Sequence, residues 1–297
     1  MPMILGSFFQ QVYNMADSII VGQFVGSSAL AAVGACAALT NVFICIALGA
    51  GVGAGVLVSR YFGARDYSKM KTIVSTSLIS FLILSVLLGV FGFCFSHSMM
   101  SLLQTPADIL DEAVLYLRVY FVGFPFLFMY NILSTMFTSI GESKIPLGLL
   151  IFSSVLNIFL DILFIVPFHM GVAGAAWATI LSQFLSALFS LIVGLKNFPV
   201  LHLRREDFHD LGGMIGLHLK TGFPMGFQMS VMCIGQLAMQ TVVNSLGTAA
   251  VAGYTAASKA DQVSVLVNNA MMTAISNYVA QNFGAGKSDR IRQGVRA

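Results

Sequence analysis

Long apolar runs separated by short polar breaks dominate the hydrophobic pattern of this chain. A helix that crosses a bilayer needs about 20 mostly apolar residues. Runs longer than that favour helices that tilt or extend beyond the bilayer. The pattern predicts eight spanning helices, with approximate bounds 2–25, 28–58, 72–95, 113–139, 145–167, 171–195, 214–246 and 249–281.

The composition narrows the class of protein. Of the 297 residues, 57% are hydrophobic and 9% are charged, whereas a soluble domain carries about 25% charged residues. A soluble surface needs more charge to stay hydrated and free of apolar patches. The composition excludes a soluble enzyme, a nucleic-acid binder and a disordered chain, and predicts an all-α polytopic membrane protein in contact with the lipid bilayer.

The basic residues lie mainly at one end of the predicted helices. Thirteen of the fifteen Lys and Arg residues fall there, and the others are Arg118, near the start of the fourth predicted helix, and Lys259, within the eighth. The positive-inside rule makes the basic side cytoplasmic. We therefore expect a multi-pass protein of the plasma (inner) membrane with the loops 60–71 and 197–213 in the cytoplasm.

The cysteines and histidines do not show the spacing of a metal site or a disulfide framework. Every cysteine lies inside an apolar run, and there is no CxxC pair. Buried cysteines of this kind behave as small hydrophobic residues. We expect no metal and no cofactor, and buried thiols at Cys36, Cys45, Cys94 and Cys233.

An internal repeat relates the two ends of the chain. Because six predicted helices separate the copies, both copies enter the membrane in the same direction, as in the parallel repeats of transporters. Duplication without transport is the alternative that this pattern leaves open. One offset relates 26–33 to 247–254 and 62–64 to 283–285, and an offset larger by a single position relates Pro2 to Pro224.

The repeat defines the expected domain organisation. Residues 1–196 form a first six-helix lobe whose helix 1 is truncated at its start, and residues 197–213 form a cytoplasmic linker. Residues 214–297 supply two helices of a second lobe. Two lobes related by a parallel repeat are what alternating access to a site between them requires.

Acidic residues inside spanning helices are the main functional candidates, because a charge in the bilayer is costly. Asp17 lies roughly 12 Å from the outer end of helix 1, and Asp161 lies roughly 9 Å from the outer end of helix 5. Asn157 is one turn from Asp161 on the same face. Thr179 lies roughly 12 Å into helix 6. These four side chains are expected in one layer of the first lobe.

That layer has the chemistry of a cation site. Two carboxylates that face one cavity cannot both stay charged at low cost, so one is expected to hold a proton. Sodium, a hard cation, is held by the same kinds of oxygen atoms. The residues do not distinguish H⁺ from Na⁺, and a structural role in linking helices is the alternative for Asn157 and Thr179.

Four further polar residues are candidates for lining a substrate cavity. Asn14 lies in helix 1, and Gln228 lies in helix 7 beside a methionine-rich stretch. Lys259 and Asp261 lie two residues apart in helix 8, so they do not face each other. A structural ion-pair network is the alternative interpretation for this last pair.

Several segments resemble the multidrug and toxic compound extrusion (MATE) family. They are QQVYNMADSIIVGQFVG in helix 1, ALAAVG and FGARD after it, the NxxxD of helix 5, GVAGAAWAT in helix 6 and QNFGAGK near the end. The resemblance covers the whole chain. It implies a protein of twelve helices in two six-helix lobes, of which this chain supplies helices 1–8.

The resemblance also implies which residues bind the coupling ion. Asp17, Asn157, Asp161 and Thr179 match the pattern of the DinF-like branch, and helix 7 lacks the acid of the NorM-like branch. Protonation of Asp17 would then favour bending of helix 1 near Pro2, where the missing N–H weakens the helix.

The implied activity is secondary transport, not enzymatic catalysis. The resemblance suggests a monomeric antiporter that exports organic cationic or amphipathic compounds in exchange for H⁺ or Na⁺, with no nucleic-acid partner. A flippase for lipid-linked precursors is the alternative within the superfamily. An intramembrane aspartyl protease is the alternative from another class, but its YD and GxGD motifs are missing because Ala16 precedes Asp17 and Leu160 precedes Asp161.

Overall fold

The computed structural model describes residues 2–103, 105–198, 211–245 and 248–296. Most of the predicted linker 197–213 lies outside these ranges. The described residues are almost entirely helical. The helices are α1 (Pro2–Phe24), α2 (Ser27–Gly63), α3 (Tyr67–Leu102), α4 (Ala107–Val122), α5 (Phe124–Ser139), α6 (Lys144–Ile165), α7 (Gly171–Asn197), α8 (Leu211–Ser245), α9 (Thr248–Gly284) and α10 (Ser288–Arg296).

The predicted fourth helix, 113–139, is wrong as a single straight element. The segment begins earlier, at Ala107, and α4 and α5 meet at a bend of 50°. The bend lies at Gly123, where an added Cβ would collide with the side chain of Ile180. Pro125 lies in the first turn of α5, where its missing N–H costs no helical hydrogen bond. A close helix contact and a proline therefore divide this span.

Length and hydropathy alone do not identify every helix as a membrane span. In the described ranges, α2, α3, α6 and α7 are long and apolar enough, and the bent pair of α4 and α5 passes when taken together. The helices α1, α8 and α9 have the length, at 23, 35 and 37 residues. Their polar residues lower the hydropathy, as Gln10, Gln11, Asn14 and Asp17 do in α1. Spanning by these three remains a prediction.

The helix boundaries repeat along the chain. The helix α2 runs from Ser27 to Gly63 and α9 runs from Thr248 to Gly284, so both are 37 residues long and one offset relates both pairs of ends. The short helix α10, which the hydrophobic pattern missed because it is polar, begins at the same offset from the start of α3. It occupies the position in the second copy where α3 begins in the first.

The turn after each of these long helices is repeated as well. Backbone hydrogen bonds of 3.0–3.1 Å close the turn after α2, and equivalent bonds of 2.9–3.1 Å close the turn after α9. The left-handed position is Arg65 in the first turn, with φ 58°, and Gly286 in the second, with φ 69°. The shared backbone conformation is what the sequence repeat predicts.

Glycines bring α2 and α8 into close contact. An added Cβ at Gly49 would collide with the backbone of Gly226, and one at Gly53 would collide with Gly222. Glycines four residues apart on both helices therefore form the crossing, as small residues do in closely packed membrane helices. The crossing joins the first predicted lobe to the second.

The same two helices carry a disulfide that the sequence analysis did not expect. Cys45 of α2 is bonded to Cys233 of α8, whereas Cys36 is buried and Cys94 is exposed, both as free thiols. The expectation of buried thiols is therefore wrong for three of the four cysteines. Cys45 lies one turn from Gly49, so the close glycine crossing brings the two sulfur atoms together.

A second contact between the lobes lies at the basic end of the helices, the end that carries the 64–66 turn. Gln281 Nε2 donates to the Ser139 carbonyl at 2.7 Å, and Asn277 Nδ2 donates to the Thr138 carbonyl at 3.3 Å. Ser59 Oγ lies 3.0 Å from the Ser139 carbonyl and 3.2 Å from Asn277 Oδ1. The last carbonyls of a helix have no intrahelical partner, and these side chains supply one. We call these five residues the basic-end latch.

Aromatic side chains form the centre of the first lobe. Phe43 of α2 packs edge-on against Phe121 and Phe124, with ring centroids 5.1 and 5.8 Å apart. Phe128 continues the stack 5.5 Å from Phe124 and lies 6.1 Å from Phe81 of α3. Edge-to-face pairs of this kind add to the energy of apolar burial. The stack fixes α4 and α5 against α2 and α3.

Candidate functional site

Two acidic side chains from different helices meet inside the first lobe. Asp17 of α1 and Asp161 of α6 lie close enough to share a side-chain hydrogen bond. Asp161 is fully buried at 0% exposure, and Asp17 is partly buried. Because an ionised carboxylate only accepts hydrogen bonds, this pair requires a proton or a cation between the two groups.

The pair is incompletely satisfied by protein atoms. Oδ1 of Asp17 and Oδ1 of Asp161 are buried and lack a hydrogen-bond partner among the described residues. Buried polar atoms without a partner are costly and are uncommon in folded proteins. The two oxygens are therefore available to a bound proton or cation.

Asn157 connects Asp161 to α7. In the orientation of the Asn157 amide that satisfies its neighbours, Nδ2 donates to Asp161 Oδ2 at 2.8 Å and Oδ1 accepts from the Thr179 N–H at 3.1 Å. Asn157 is 1% exposed. It precedes Asp161 by one helical turn, as the NxxxD spacing predicted. The amide fixes the Asp161 carboxyl in place.

Thr179 completes the group that the sequence analysis selected. Its hydroxyl donates to the Ala175 carbonyl at 3.1 Å, and its backbone N–H donates to Asn157 Oδ1 at 3.1 Å. Since the hydroxyl proton is used by Ala175, the oxygen faces the site as an acceptor. The structure thus brings Asp17, Asn157, Asp161 and Thr179 together from α1, α6 and α7.

Three tyrosines beside the acids were missed by the sequence analysis. Tyr13 makes a side-chain hydrogen bond with Thr179, and Tyr13, Tyr116 and Tyr120 all lie within electrostatic range of Asp17. The rings of Tyr116 and Tyr120 are stacked, with centroids 6.0 Å apart. The available signal was spacing: Tyr13 precedes Asp17 by one turn, and Tyr120 follows Tyr116 by one turn.

A polar cavity of about 220 Å³ adjoins this site. It lies between α1, α5, α6 and α7, and its lining includes Gln10, Tyr13, Asn131, Ser134 and Gln183. Tyr13 belongs to both the cavity lining and the hydrogen-bonded group around Thr179. The cavity wall and the hydrogen-bonded group beside the acids therefore share one side chain.

The other predicted site residues lie elsewhere. Asn14, Gln228 and Asp261 are not among the residues that line this cavity, and Gln228 and Asp261 are exposed. The side chains of Pro2 and Lys259 lie outside the described part of the structure. Cavity lining by Asn14, Gln228, Lys259 and Asp261 and helix bending at Pro2 therefore remain predictions.

Comparisons with known proteins agree with the helical architecture. The family model described as MatE matches residues 2–163 and 224–297. The probable multidrug resistance protein YpnP of Bacillus subtilis (strain 168) is 34% identical over 292 residues, covering 98% of this chain and 65% of that protein. The multidrug export protein MepA of Staphylococcus saprophyticus is 26% identical over 287 residues, covering 97% and 64%.

A solved structure has the same arrangement of helices. It is the outward-facing conformation of a multidrug resistance MATE family transporter of the MOP superfamily, with a TM-score of 0.90 and 27% identity. The match covers 98% of this chain and 65% of that one. This chain likewise spans about 65% of the length of YpnP. From the family match over both halves and the identity to YpnP, we conclude that the chain belongs to the MatE (multidrug and toxic compound extrusion) family of membrane transporters.

Proposed function

We propose that the protein is a cation-coupled antiporter that exports organic cationic or amphipathic compounds as H⁺ or Na⁺ enters the cell. The observation that carries this proposal is the contact between Asp17 and Asp161, because two adjoining buried acids need a positive partner. The multidrug export in the name of MepA and the multidrug resistance in the name of YpnP support export of more than one drug. The basic loops support a plasma-membrane location with the basic end in the cytoplasm.

In the orientation of the Asn157 amide that satisfies its protein neighbours, the site suits a shared proton better than Na⁺. The Asn157 amide presents its Nδ2 to Asp161 and uses its Oδ1 to accept from Thr179. Sodium prefers oxygen ligands, so the amide would have to turn over before it could ligate Na⁺ beside Asp161. A proton shared by the two carboxyls requires no such rearrangement.

The link between ion and substrate would pass through α1. A proton shared by Asp17 and Asp161 ties α1 to α6, and its loss leaves two negative charges that repel each other. The helix α1 would then move relative to α6. Tyr13, on the same helix, would carry the movement to the wall of the 220 Å³ cavity.

The cavity lining favours drug export over flipping of lipid-linked precursors. A flippase for pyrophosphate-linked lipids would need cationic side chains around its ligand. The side chains that line the described cavity include Gln10, Asn131, Ser134 and Gln183, and this lining contains neither Lys nor Arg. Uncharged polar and aromatic groups suit organic cations better.

A transport assay with the full-length protein in liposomes tests the proposal. Efflux of a fluorescent organic cation would be driven first by a proton gradient and then by a sodium gradient. We expect Asp17→Asn and Asp161→Asn to abolish efflux driven by the proton gradient. Asp289→Asn, which removes an exposed acid of α10, is the matched control and should transport normally. Unchanged proton coupling in Asp17→Asn would refute the proposed mechanism.

A further inference from the structure

Arg118 occupies an unusual place on the outside of the first lobe. The apolar run predicts a position near the start of the fourth helix, but α4 begins at Ala107. Arg118 therefore lies roughly 16 Å along the helix axis from that start. Its side chain is exposed. A positive charge thus lies on the surface of a spanning segment, six residues after Glu112, the last acid of the polar start of α4.

The partners of Arg118 do not neutralise its charge. Nε donates to Ser96 Oγ of α3 at 3.1 Å, and the guanidinium carbon lies 5.7 Å from the centroid of the Phe93 ring. Among the described residues, the ion pair within 4.0 Å joins Lys69 to Asp66, at the other end of α3. A guanidinium has five N–H donors, and the Ser96 contact uses one. In the described part of the chain, no carboxylate oxygen lies within 4.0 Å of the Arg118 guanidinium nitrogens.

An apolar groove begins beside this guanidinium. It has a volume of about 320 Å³ and runs between α3 and the bent pair of α4 and α5. Val122, in its floor, lies four residues after Arg118 on the same face of α4, and Pro125 lies beyond the bend, in the first turn of α5. Val86 and Val90 of α3 form the opposite wall. Arg118 therefore marks the end of the groove that is nearer the start of α4.

The groove opens onto an apolar surface. A row of exposed side chains on α3, close in sequence to the residues that line the groove, consists of Leu87, Phe91 and Phe95, at 62%, 48% and 50% exposure. Such a surface faces hydrocarbon in a spanning segment. An uncompensated cation there is costly, and arginines in such segments usually pair or extend to the interface. The arrangement calls for a ligand with an anionic head and an apolar chain.

We propose that this surface binds an anionic phospholipid, with its phosphate on Arg118 and one acyl chain in the groove. A guanidinium recognises phosphate oxygens through paired, charge-assisted hydrogen bonds. The basic loops place the start of α4 on the outer side of the membrane, so the lipid belongs to the outer leaflet. Ser96 and Phe93 hold the guanidinium in position, and the valines of α3 receive the chain. The site lies away from Asp17 and Asp161, so the proposal stands apart from the transport mechanism.

Lipid binding to the full-length protein in detergent, followed by native mass spectrometry, tests the proposal. The probe is phosphatidylglycerol with two oleoyl chains. Removal of one charge-assisted contact should weaken binding by about tenfold or more. We expect that loss for Arg118→Gln, and a similar loss for Val86→Phe with Val90→Phe, which fills the groove and keeps the arginine. Arg65→Gln, in the exposed turn after α2, is the matched charge control and should bind like the wild type.

Each other outcome would overturn the proposal. Equal lipid binding by Arg118→Gln and Arg65→Gln would exclude a phosphate site at Arg118. Full competition by soluble glycerol phosphate would show that the groove contributes nothing. Equal binding of phosphatidylcholine would remove the preference for net negative charge. A dimer of the wild type that Arg118→Gln dissociates, without bound lipid, would identify a second copy of the chain as the occupant. Because the readout is lipid binding, failure of the transport proposal would not affect it.

Discussion

Gly63 at the end of α2 and Gly284 at the end of α9 occupy equivalent positions in the repeat, and each packs against the helix of the other. An added Cβ at Gly63 would collide with the carbonyl of Gln281, and one at Gly284 would collide with the carbonyl of Arg60. Arg60 and Gln281 are themselves equivalent positions of the repeat, since the offset between them is the same. The two halves therefore meet through a symmetric contact at the basic end, which the latch reinforces.

We expect Gly63→Val to separate α2 from α9 and to destabilise the protein. Overpacking of a close contact typically costs about 1–3 kcal/mol, and here the obstacle is backbone that no side-chain rotation can relieve. Thermal unfolding of the purified protein in detergent measures the loss. Gly34→Ala is the matched control, because an added Cβ at Gly34 meets nothing within 4 Å. Equal melting temperatures for the two variants would contradict the contact.

We expect the latch to hold the basic end closed. Asn277→Leu combined with Gln281→Leu removes two donors to the end of α5, and each such hydrogen bond contributes about 1 kcal/mol. Thr138 lines the polar cavity, so a cysteine placed there reports on access from the basic end. Because loss of the two hydrogen bonds makes opening easier by about 1 kcal/mol each, this cysteine should react several-fold faster with a water-soluble maleimide.

The labelling measurement needs a background in which the exposed thiol Cys94 is replaced by serine. The exposed residue Gln228 offers the matched control, because Gln228→Leu also removes an amide from the second lobe without touching the latch. An unchanged labelling rate in the latch variant would show that the basic end stays closed without these bonds.

The repeated turn predicts a stabilising substitution. Arg65 adopts a left-handed backbone conformation, and the equivalent position in the second copy of the repeat is a glycine, Gly286. This conformation costs a non-glycine residue roughly 1–2 kcal/mol, so Arg65→Gly should stabilise the protein by up to about 1 kcal/mol after the entropic cost of glycine. The reciprocal change, Gly286→Ala, should destabilise it by a similar amount. Chemical denaturation of both variants checks the prediction, and a shift of the same sign in both would disprove it.

The contacts of Asp66 predict that the free energy of unfolding depends on pH. Its Oδ1 accepts from the Lys69 N–H at 3.2 Å, which caps α3, and its Oδ2 lies 3.1 Å from Lys69 Nζ. The backbone hydrogen bond, with help from the ammonium, lowers the pKa of Asp66. The stabilisation is therefore present above the unfolded pKa of about 3.9 and is lost as the pH falls through the lower folded pKa.

Replacement of this cap separates the hydrogen bond from the charge. Asp66→Ala should cost about 0.5–2 kcal/mol at neutral pH, whereas Asp66→Asn keeps an acceptor and should cost less. The difference between Asp66→Ala and the wild type should shrink below about pH 4, where the unfolded carboxyl takes up its proton. Denaturation at neutral pH and again below about pH 4 makes the comparison, and a constant difference would argue against a charged cap.

The sequence predicted the residues of the acidic layer because their spacing carries the information. Asn157 and Asp161 are four residues apart, so they share a helical face however the helix packs against its neighbours. The depth of each residue along its helix follows from the rise per residue. The repeat could be recognised for the same reason, since its offset recurs in the bounds of α2 and α9. Whether the acids bind the coupling ion is a further question, which transport measurements decide.

The missed features depend on how helices pack. Tyr116 comes within electrostatic range of Asp17 only through the packing of separate helices, and Cys45 meets Cys233 only because α2 crosses α8. Neither pairing follows from local pattern. The bend at Gly123 did have a local signal in Pro125, but the continuous apolar run around it concealed the break.

A double-mutant cycle tests whether Asn157 holds Asp161 in place. Asn157→Ala removes the donor at 2.8 Å from Asp161 Oδ2 and leaves a buried acceptor without a partner, which costs about 1–3 kcal/mol. Once Asp161 is also replaced by alanine, that acceptor is gone. The double variant should therefore be more stable than the sum of the single losses predicts, by about 0.5–3 kcal/mol. Thermal unfolding measures all three variants, and Asn14→Ala, at an exposed position of α1, serves as the control. Additive losses would mean that the two side chains act independently, and the amide would then have no part in positioning the buried acid.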